Sequence, residues 1–335
     1  MCKRILASQT NAECGVPFYK IGTIGGAPDA YISKELFESY RAKYNYPRKG
    51  EVMITCAGTV GKAMIFDGED SYYQDSNIVW IDNPTNKIDN TFLYHLISKV
   101  DWSKLNTTTI VRIYNDDLRQ LRISYPTLSE QRKISIFLNL LNQRIETQKK
   151  IIEKLESLIK GLCQKLTEQD NPNTALNETL VCYSSTLQES SVQEAGDYPV
   201  YGATGVCGYT NAPEVDGDSI LIIKDGASVG ITYYASSKYS AIGTLNRLVA
   251  KRGYSLRYLY YCLKVFNFAP YRTGLAIPHI YFRDYGKAKV WCPSLDEQHR
   301  IADALTKVEQ KIAMEKSILE QLYSQKRFLL QAMFI

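Results

Sequence analysis

At 335 residues the chain is longer than one hydrophobic core usually serves, so two domains of ordinary size are expected. An apolar fraction of 45% and a charged fraction of 22% exclude a chain disordered throughout, and the net charge of +5 is too small to name a partner. No run approaches the roughly 18 apolar residues of a membrane span, and the opening Met1 to Leu6 is too short for a secretion signal, so a cytoplasmic location is expected.

In chain order, strand-like stretches occur at Val52 to Thr55, Ala63 to Phe66 and Asn77 to Ile81, separated by Gly-rich turns. A short helix is predicted near Thr91 to Val100. A long helix follows, its start marked by Pro126, with Ser129 as expected N-cap and Glu130 favouring the dipole. Polar residues 168 to 178, including Asp170-Asn171-Pro172-Asn173, read as a linker. Further strands are expected at Thr179 to Tyr183, Ser219 to Ile223, Ile231 to Tyr234 and Leu245 to Val249, then a helix near Ser255 to Phe266. A second long helix starts after Pro293, with Asp296 as expected N-cap.

The chain is one unit written twice. Pro126-Thr127-Leu128-Ser129-Glu130-Gln131 returns 167 residues later as Pro293-Ser294-Leu295-Asp296-Glu297-Gln298. Upstream, Ile110, Arg112, Ile113 and Tyr114 face Ile277, His279, Ile280 and Tyr281. Gly58-Thr59-Val60-Gly61 faces Gly226-Ala227-Ser228-Val229-Gly230, and Asn77 faces Asn246. The first copy lacks a counterpart to the strand Thr179 to Tyr183 and so reads as short at its front. Both long helices keep a heptad: Ile134, Leu138, Leu141, Ile145, Gln148, Ile152, Leu155, Ile159, Leu162 and Leu166 in one. The other has Ile301, Leu305, Val308, Ile312, Glu315, Leu319, Leu322, Lys326, Leu329 and Met333. This is a coiled-coil pattern, and Gln148 and Glu315, polar at the same seam position, are expected to meet and fix the register of an antiparallel pair.

Catalytic motifs are not recognisable. Gly58-Thr59-Val60-Gly61-Lys62 has the wrong spacing for a phosphate loop and reads as a hairpin turn. Asn83-Pro84-Thr85-Asn86 and Asn171-Pro172-Asn173-Thr174 share only two letters with the element of an amino-methyltransferase, and no acidic-x-Lys element pairs with Pro28-Asp29 as a nuclease would need. Eight scattered cysteines without a Cys-x-x-Cys pair read as reduced thiols, and His95, His279 and His299 stand too far apart to suggest a metal centre. By elimination the chain is a binder. Residues 251 to 289 carry eight basic groups (Lys251, Arg252, Arg257, Lys264, Arg272, Arg283, Lys287, Lys289) against Asp284 alone, which with 25 tyrosines in the chain favours nucleic-acid contact.

The duplicated Pro-x-Leu-x-Glu-Gln helix starts, each after a domain with a Gly-Thr-Val-Gly or Gly-Ala-Ser-Val-Gly turn, resemble the specificity subunit of type I restriction-modification systems. Met1-Cys2-Lys3-Arg4-Ile5, Phe18-Tyr19-Lys20-Ile21-Gly22-Thr23 and Gln74-Asp75-Ser76-Asn77-Ile78-Val79-Trp80 are also similar to its target-recognition domains. The resemblance implies an α+β chain with two mixed target-recognition domains, 1–125 and 168–292, separated by two long antiparallel coiled-coil helices, 126–167 and 293–335, in a pseudo-twofold tandem repeat. It implies that each domain reads half of a bipartite site in double-stranded DNA and that the helices set the gap and dock two methyltransferase subunits. Restriction motor-nuclease subunits would join them, and S-adenosylmethionine, ATP and Mg would sit on these partners, leaving this chain without catalytic group, cofactor or metal.

Turn position and chemistry nominate Lys20, Thr23, Lys49, Thr59, Lys62, Gln74, Asn77 and Arg112 as DNA-facing in the first domain. Lys224, Ser228, Asn246, Arg247, Arg272, His279 and Tyr281 are the nominees in the second. Residues shared by two differently specific domains should position the backbone, whereas differing ones should read bases. A protein-interaction scaffold without DNA specificity, or a nuclease with an unfamiliar site, are the competing expectations.

Overall fold

The computed structural model describes residues 1–74, 77–85, 87–102, 112–274 and 276–333; Ile110, used in the repeat comparison, lies outside them. Two compact units emerge: Met1–Thr147 with Ile318–Ile335, and Gln148–Ser317. Each long helix therefore takes part in both.

The first unit runs β1 (Thr10–Asn11), β2 (Val16–Tyr19), β3 (Tyr31–Ile32), α1 (Lys34–Lys43), β4 (Val52–Thr55), β5 (Ala63–Ile65), β6 (Tyr72–Tyr73), β7 (Ile78–Ile81), α2 (Asn90–Lys99), α3 (Asn115–Gln120) and the first half of α4 (Leu128–Thr167). Two small sheets form, β1-β3-β2-β6 and β5-β4-β7. The second sheet packs on α2 and on Leu138 of α4, around buried Val52, Ile54, Phe92 and Leu96. At roughly 1.5–3 kcal/mol per fully buried large apolar side chain, this contact holds the domain to its helix.

The second unit runs β8 (Thr174–Ala175), α5 (Leu176–Thr179), β9 (Leu180–Ser184), β10 (Tyr198–Gly202), β11 (Gly205–Thr210), β12 (Val215–Asp216), β13 (Ser219–Ile223), β14 (Thr232–Ala235), β15 (Lys238–Ala241), β16 (Leu245–Ala250), α6 (Leu256–Val265), α7 (Phe282–Tyr285), β17 (Lys289–Val290) and most of α8 (Leu295–Met333). Its sheets are β11-β10-β15-β12, β14-β13-β16-β9 and the pair β17-β8. In both units the strand after the opening loop pairs in parallel with a later one, β2 with β6 and β10 with β15.

The heptad is read out in burial: every seam position of both helices is buried or half-buried. Within each unit the helices run antiparallel. In the first, Leu141 and Ile145 pack on Leu322; in the second, Gln148 Nε2 donates to the Glu315 backbone carbonyl at 3.0 Å and to its carboxylate, with both residues buried.

The repeated Pro-x-Leu-x-Glu-Gln motif has a physical reason. Gln131 is fully buried; its Oε1 accepts from Asp89 N at 2.7 Å while Nε2 donates to the carbonyls of Pro126 and Lys87. Gln298 does the same with Ser255 N at 2.9 Å and the Pro293 carbonyl. Asp89 and Ser255 are the N-caps of α2 and α6, so one glutamine clasps the start of the domain helix to the start of the long helix.

Three expectations are corrected. The long helices are capped by Thr127 and Ser294, not Ser129 and Asp296: their carbonyls accept from Gln131 N and Gln298 N, and their hydroxyls from Glu130 N and Glu297 N. Glu130 returns a bond to Thr127, a capping box that fixes the start two residues earlier. The stretch 168–178 is not all linker, because Thr174–Ala175 pairs with β17 and Leu176 is fully buried. And Asn77 does not match Asn246. Cys56 N donates to the Asn77 carbonyl as Lys224 N does to Thr244, so Thr244 is the structural counterpart. The eight cysteines are all free thiols, and no described helix is long and apolar enough to cross a membrane.

Candidate nucleic-acid interface

In each unit the glycine turn joins an inner strand to the edge strand beside it as a hairpin, β4 to β5 and β13 to β14, and the same backbone bonds recur around it. Gly61 N donates to Thr55 O and Gly230 N to Ile223 O; Ile113 N donates to Cys56 O and Ile280 N to Lys224 O. The closing glycines are required. Gly61 and Gly230 have φ of +86° and +93°, and a Cβ on either would lie 2.1 Å from Trp102 Cδ1 or 2.8 Å from Phe268 Cδ2.

Most first-domain candidates gather around this hairpin. Lys20, Thr23 and Gln74 meet in one loop: Thr23 Oγ1 accepts from Lys20 N at 3.0 Å, Gln74 Oε1 from Ile21 N at 3.3 Å, and Lys20 Nζ pairs with Asp29 at 3.1 Å. Lys62 ties this loop to the hairpin through the Ile24 carbonyl, Thr59 accepts from Thr55 Oγ1, and Asn77 supports the strand end. Arg112, next to Ile113, lies over the Tyr114 ring at 5.9 Å. Lys49 stands in a different turn, its stem packed on Gly68.

Five second-domain candidates converge likewise. Arg272 donates to the Val229 carbonyl at 3.1 Å, His279 Nδ1 pairs with Asp225 at 2.7 Å, and Tyr281 stacks on the His279 ring. Lys224 adjoins Asp225, and Ser228 is exposed on the turn. Asn246 and Arg247 lie apart on β16. Asn246 is buried and its Oδ1 bonds Ser184, whereas the Arg247 guanidinium stacks over Tyr183 at 4.3 Å.

The basic cluster of residues 251–289 is less free than its sequence suggests. Lys264 is held by Glu309 of α8, Lys251 donates to the Asn177 carbonyl, Arg257 covers the Tyr234 ring at 3.3 Å, and Arg272 braces the hairpin. Sequence reasoning missed Asp29 and Asp225, which orient Lys20 and His279, and Tyr183, the platform under Arg247; only the folded pairing reveals them. Among the described residues no cluster of three or more His, Cys, Asp or Glu side chains is placed to hold a metal.

The family described as type I restriction modification DNA specificity domain matches residues 1–157 and 183–324, one stretch in each copy of the repeat. The chain belongs to this family. A putative type I restriction enzyme specificity subunit from Haemophilus influenzae is 54% identical over 134 residues, which are 40% of this chain and 35% of that relative. The chain thus matches about a third of that curated relative's length. The crystal structure of a type-I restriction-modification system S subunit from M. genitalium superposes with a TM-score of 0.65 at 20% identity, covering 100% of this chain and 92% of that one. A chain solved for the structural basis of complex assembly and conformational transition of the type I R-M system gives 0.57 at 16% identity, covering 96% and 91%. At these identities the likeness is one of fold.

Proposed function

We propose that the chain recognises DNA sequence without catalysing a reaction, each domain reading one half of a bipartite site. The supporting observation is a hairpin frame closed by the same backbone bonds in the two units, with turns of different length and different side chains on it. Cys56, Ala57, Lys62 and Arg112 of the first unit stand where the second has Lys224, Asp225, Ile231 and His279. A shared frame with exchanged side chains is what two readers of different base sequences require. Of the candidates, Lys20, Thr23, Lys49, Thr59, Lys62, Gln74, Asn77 and Arg112 serve the first half-site. Lys224, Ser228, Arg247, Arg272, His279 and Tyr281 serve the second, and buried Asn246 positions its strand.

The long helices, 40 and 39 residues, would set the gap between half-sites and dock two methyltransferase subunits, joined by restriction motor-nuclease subunits. S-adenosylmethionine, ATP and magnesium chemistry belongs to those partners in this reading, and the cell compartment is the cytoplasm. Selection from a randomised duplex pool, with and without a methyltransferase partner, tests it. Enrichment of a split motif is expected; equal retention of all sequences overturns it. Lys224→Ala, at a position that differs between the units, should relax one half-site, whereas Tyr281→Ala, at the position of the identical Tyr114, should weaken every sequence alike.

A further inference from the structure

Arg247 stands where burial favours an apolar side chain. Leu245, two residues before it on the same face of β16, is buried, and so is Leu221, its strand partner on β13. A half-buried guanidinium at such a place is expected to be paired within the protein. Among the described residues, however, Arg247 makes no side-chain hydrogen bond or ion pair; its planar group lies 4.3 Å over the ring of Tyr183, its partner on β9. The first unit has Trp80 at this position, packed against its own apolar core.

Arg247 and Tyr183 line a cavity of about 200 Å³ together with Glu214. Glu214 is fixed through its backbone, whose N donates to Ser240 Oγ at 3.0 Å. One carboxylate oxygen accepts from Ser185 Oγ at 3.4 Å, a long bond that leaves most of its acceptor capacity free. The two opposite charges share the cavity without forming an ion pair, so a flat donor edge and an acceptor are both left for a third group. The cavity lies at the end of the sheet where the glycine turn begins: Ile223, the last residue of β13, pairs with Leu245, and Lys224 N donates to the Thr244 carbonyl.

The chemistry of the pair selects its ligand. A phosphate would suit the guanidinium, but the Glu214 carboxylate in the same cavity repels it. The edge of a G·C pair satisfies both: guanine offers O6 and N7 to the parallel guanidinium donors, and the cytosine N4 amino group donates to a carboxylate. Adenine would set its N6 donor against the guanidinium donors. We infer that Arg247 and Glu214 read one G·C pair in the major groove of the second unit's half-site, with Tyr183 as the positioning residue that holds the guanidinium edge. The inference rests on the half-site reading proposed above and adds the base pair and the groups that read it. Trp80 supplies no such edge, so this requirement belongs to one half-site only.

The test uses the full chain, with a methyltransferase partner as in the selection above, a randomised duplex pool, and equilibrium binding to the selected duplex. The original chain should enrich a split motif with an invariant G·C pair in one half. Replacing that guanine by 7-deazaguanine, which lacks the N7 acceptor, should weaken binding roughly tenfold or more. Arg247→Lys keeps the charge but not the flat edge; it should accept all four base pairs at that position and bind the guanine and 7-deazaguanine duplexes alike. It should still select the other positions of the same half-site, which shows that the second unit is folded. Tyr183→Ala should behave like Arg247→Lys, and Tyr183→Phe, which keeps the ring, like the original chain. Glu214→Ala should relax the same position and no other. A G·C requirement that survives Arg247→Lys, or 7-deazaguanine without effect, overturns the inference and leaves the half-site reading standing. Loss of the whole half-site in Arg247→Lys and Tyr183→Phe alike would give the stack a structural role and also overturn it. Failure of the original chain to enrich any split motif overturns both readings, and is seen before any substitution is made.

Discussion

The domain helix is tied to the long helix by different chemistry at the same place in the two units. In the first, buried His95 Nε2 bonds the Asn139 amide of α4 at 3.0 Å. In the second, Tyr261 stands at the position of His95 and bonds Thr306, the counterpart of Asn139, at 3.1 Å and Glu309 at 2.9 Å; Lys264 closes the cluster on Glu309. One tie is a neutral pair and the other a charged network. What persists is a buried side chain of the domain helix bonded to a polar side chain of the long helix, and which groups do it is replaceable.

The most disruptive probe of this shared frame is the closing glycine. Gly61→Ala meets both a positive φ and the Trp102 ring, and should cost about 2–4 kcal/mol. Gly226→Ala has a similar φ of +96° but no atom within 4 Å of the added Cβ, and should cost only about 1–2 kcal/mol. Urea unfolding, with amide exchange in α2 and α6 reporting each unit, checks the order. Equal losses would mean that the aromatic lid over the turn yields easily.

Next come the clasps. Gln131→Ala and Gln298→Ala each strand buried backbone groups and should cost roughly 2–3 kcal/mol, with Gln131 the more costly because it serves the Lys87 carbonyl as well. If Gln298→Ala costs more, the count of stranded partners does not set the penalty.

Some of this could be read before folding. The heptads were legible because a seam of Leu and Ile every three or four residues has one geometric solution, and the Gln of each helix start stood out by repetition. Its clasp did not, since its partners Asp89 and Ser255 are more than 40 residues away. By residue type the caps read two residues late, because Ser129 and Asp296 are as good cap residues as Thr127 and Ser294; only the bonds made in the fold decide. Asn77 matches Asn246 only by letter, whereas the strand register pairs backbone positions and ignores side-chain identity. Leu176 hid in a polar stretch, and the basic run of 251–289 concealed that Lys264 faces a carboxylate. Which exposed residues gather at each hairpin was partly visible from the turns; Asp29 follows Lys20 in one loop and Asp225 sits in the second turn, but only the fold pairs them with Lys20 and His279.

The two ties should also separate by pH. Burial lowers the pKa of His95, with the Asn139 bond opposing and nearby Lys326 adding to the lowering, so the folded chain keeps this imidazole neutral. Unfolded, the group takes a proton near its ordinary value of about 6.5. Stability of the first unit is therefore greatest above that value and falls as pH drops through it, levelling once the folded imidazole also protonates. The His95→Gln variant, which keeps an amide donor, should lose this slope while the second unit's response is unchanged. A slope that survives the substitution would place the titrating group elsewhere.

The smallest effect is expected where the helices of the second unit meet. Lys311 and then Gln148 hold the Glu315 carboxyl below the usual range, Lys311 Nζ lying 2.6 Å from it. The stabilisation is complete above the ordinary carboxylate pKa and is lost as pH falls through the lowered one. Gln148→Leu alone leaves the carboxylate facing an apolar surface and should lower the unfolding midpoint. Adding Glu315→Leu removes that conflict and should restore or exceed the original midpoint, because two leucines pack in a seam better than an amide and an acid. We predict that this gain is accompanied by loss of a single register. Amides flanking positions 148 and 315 would then show two exchanging populations in the double variant and one in the original chain. A more stable double variant with a single population would assign the register to the flanking leucines and isoleucines and leave the polar pair without that role.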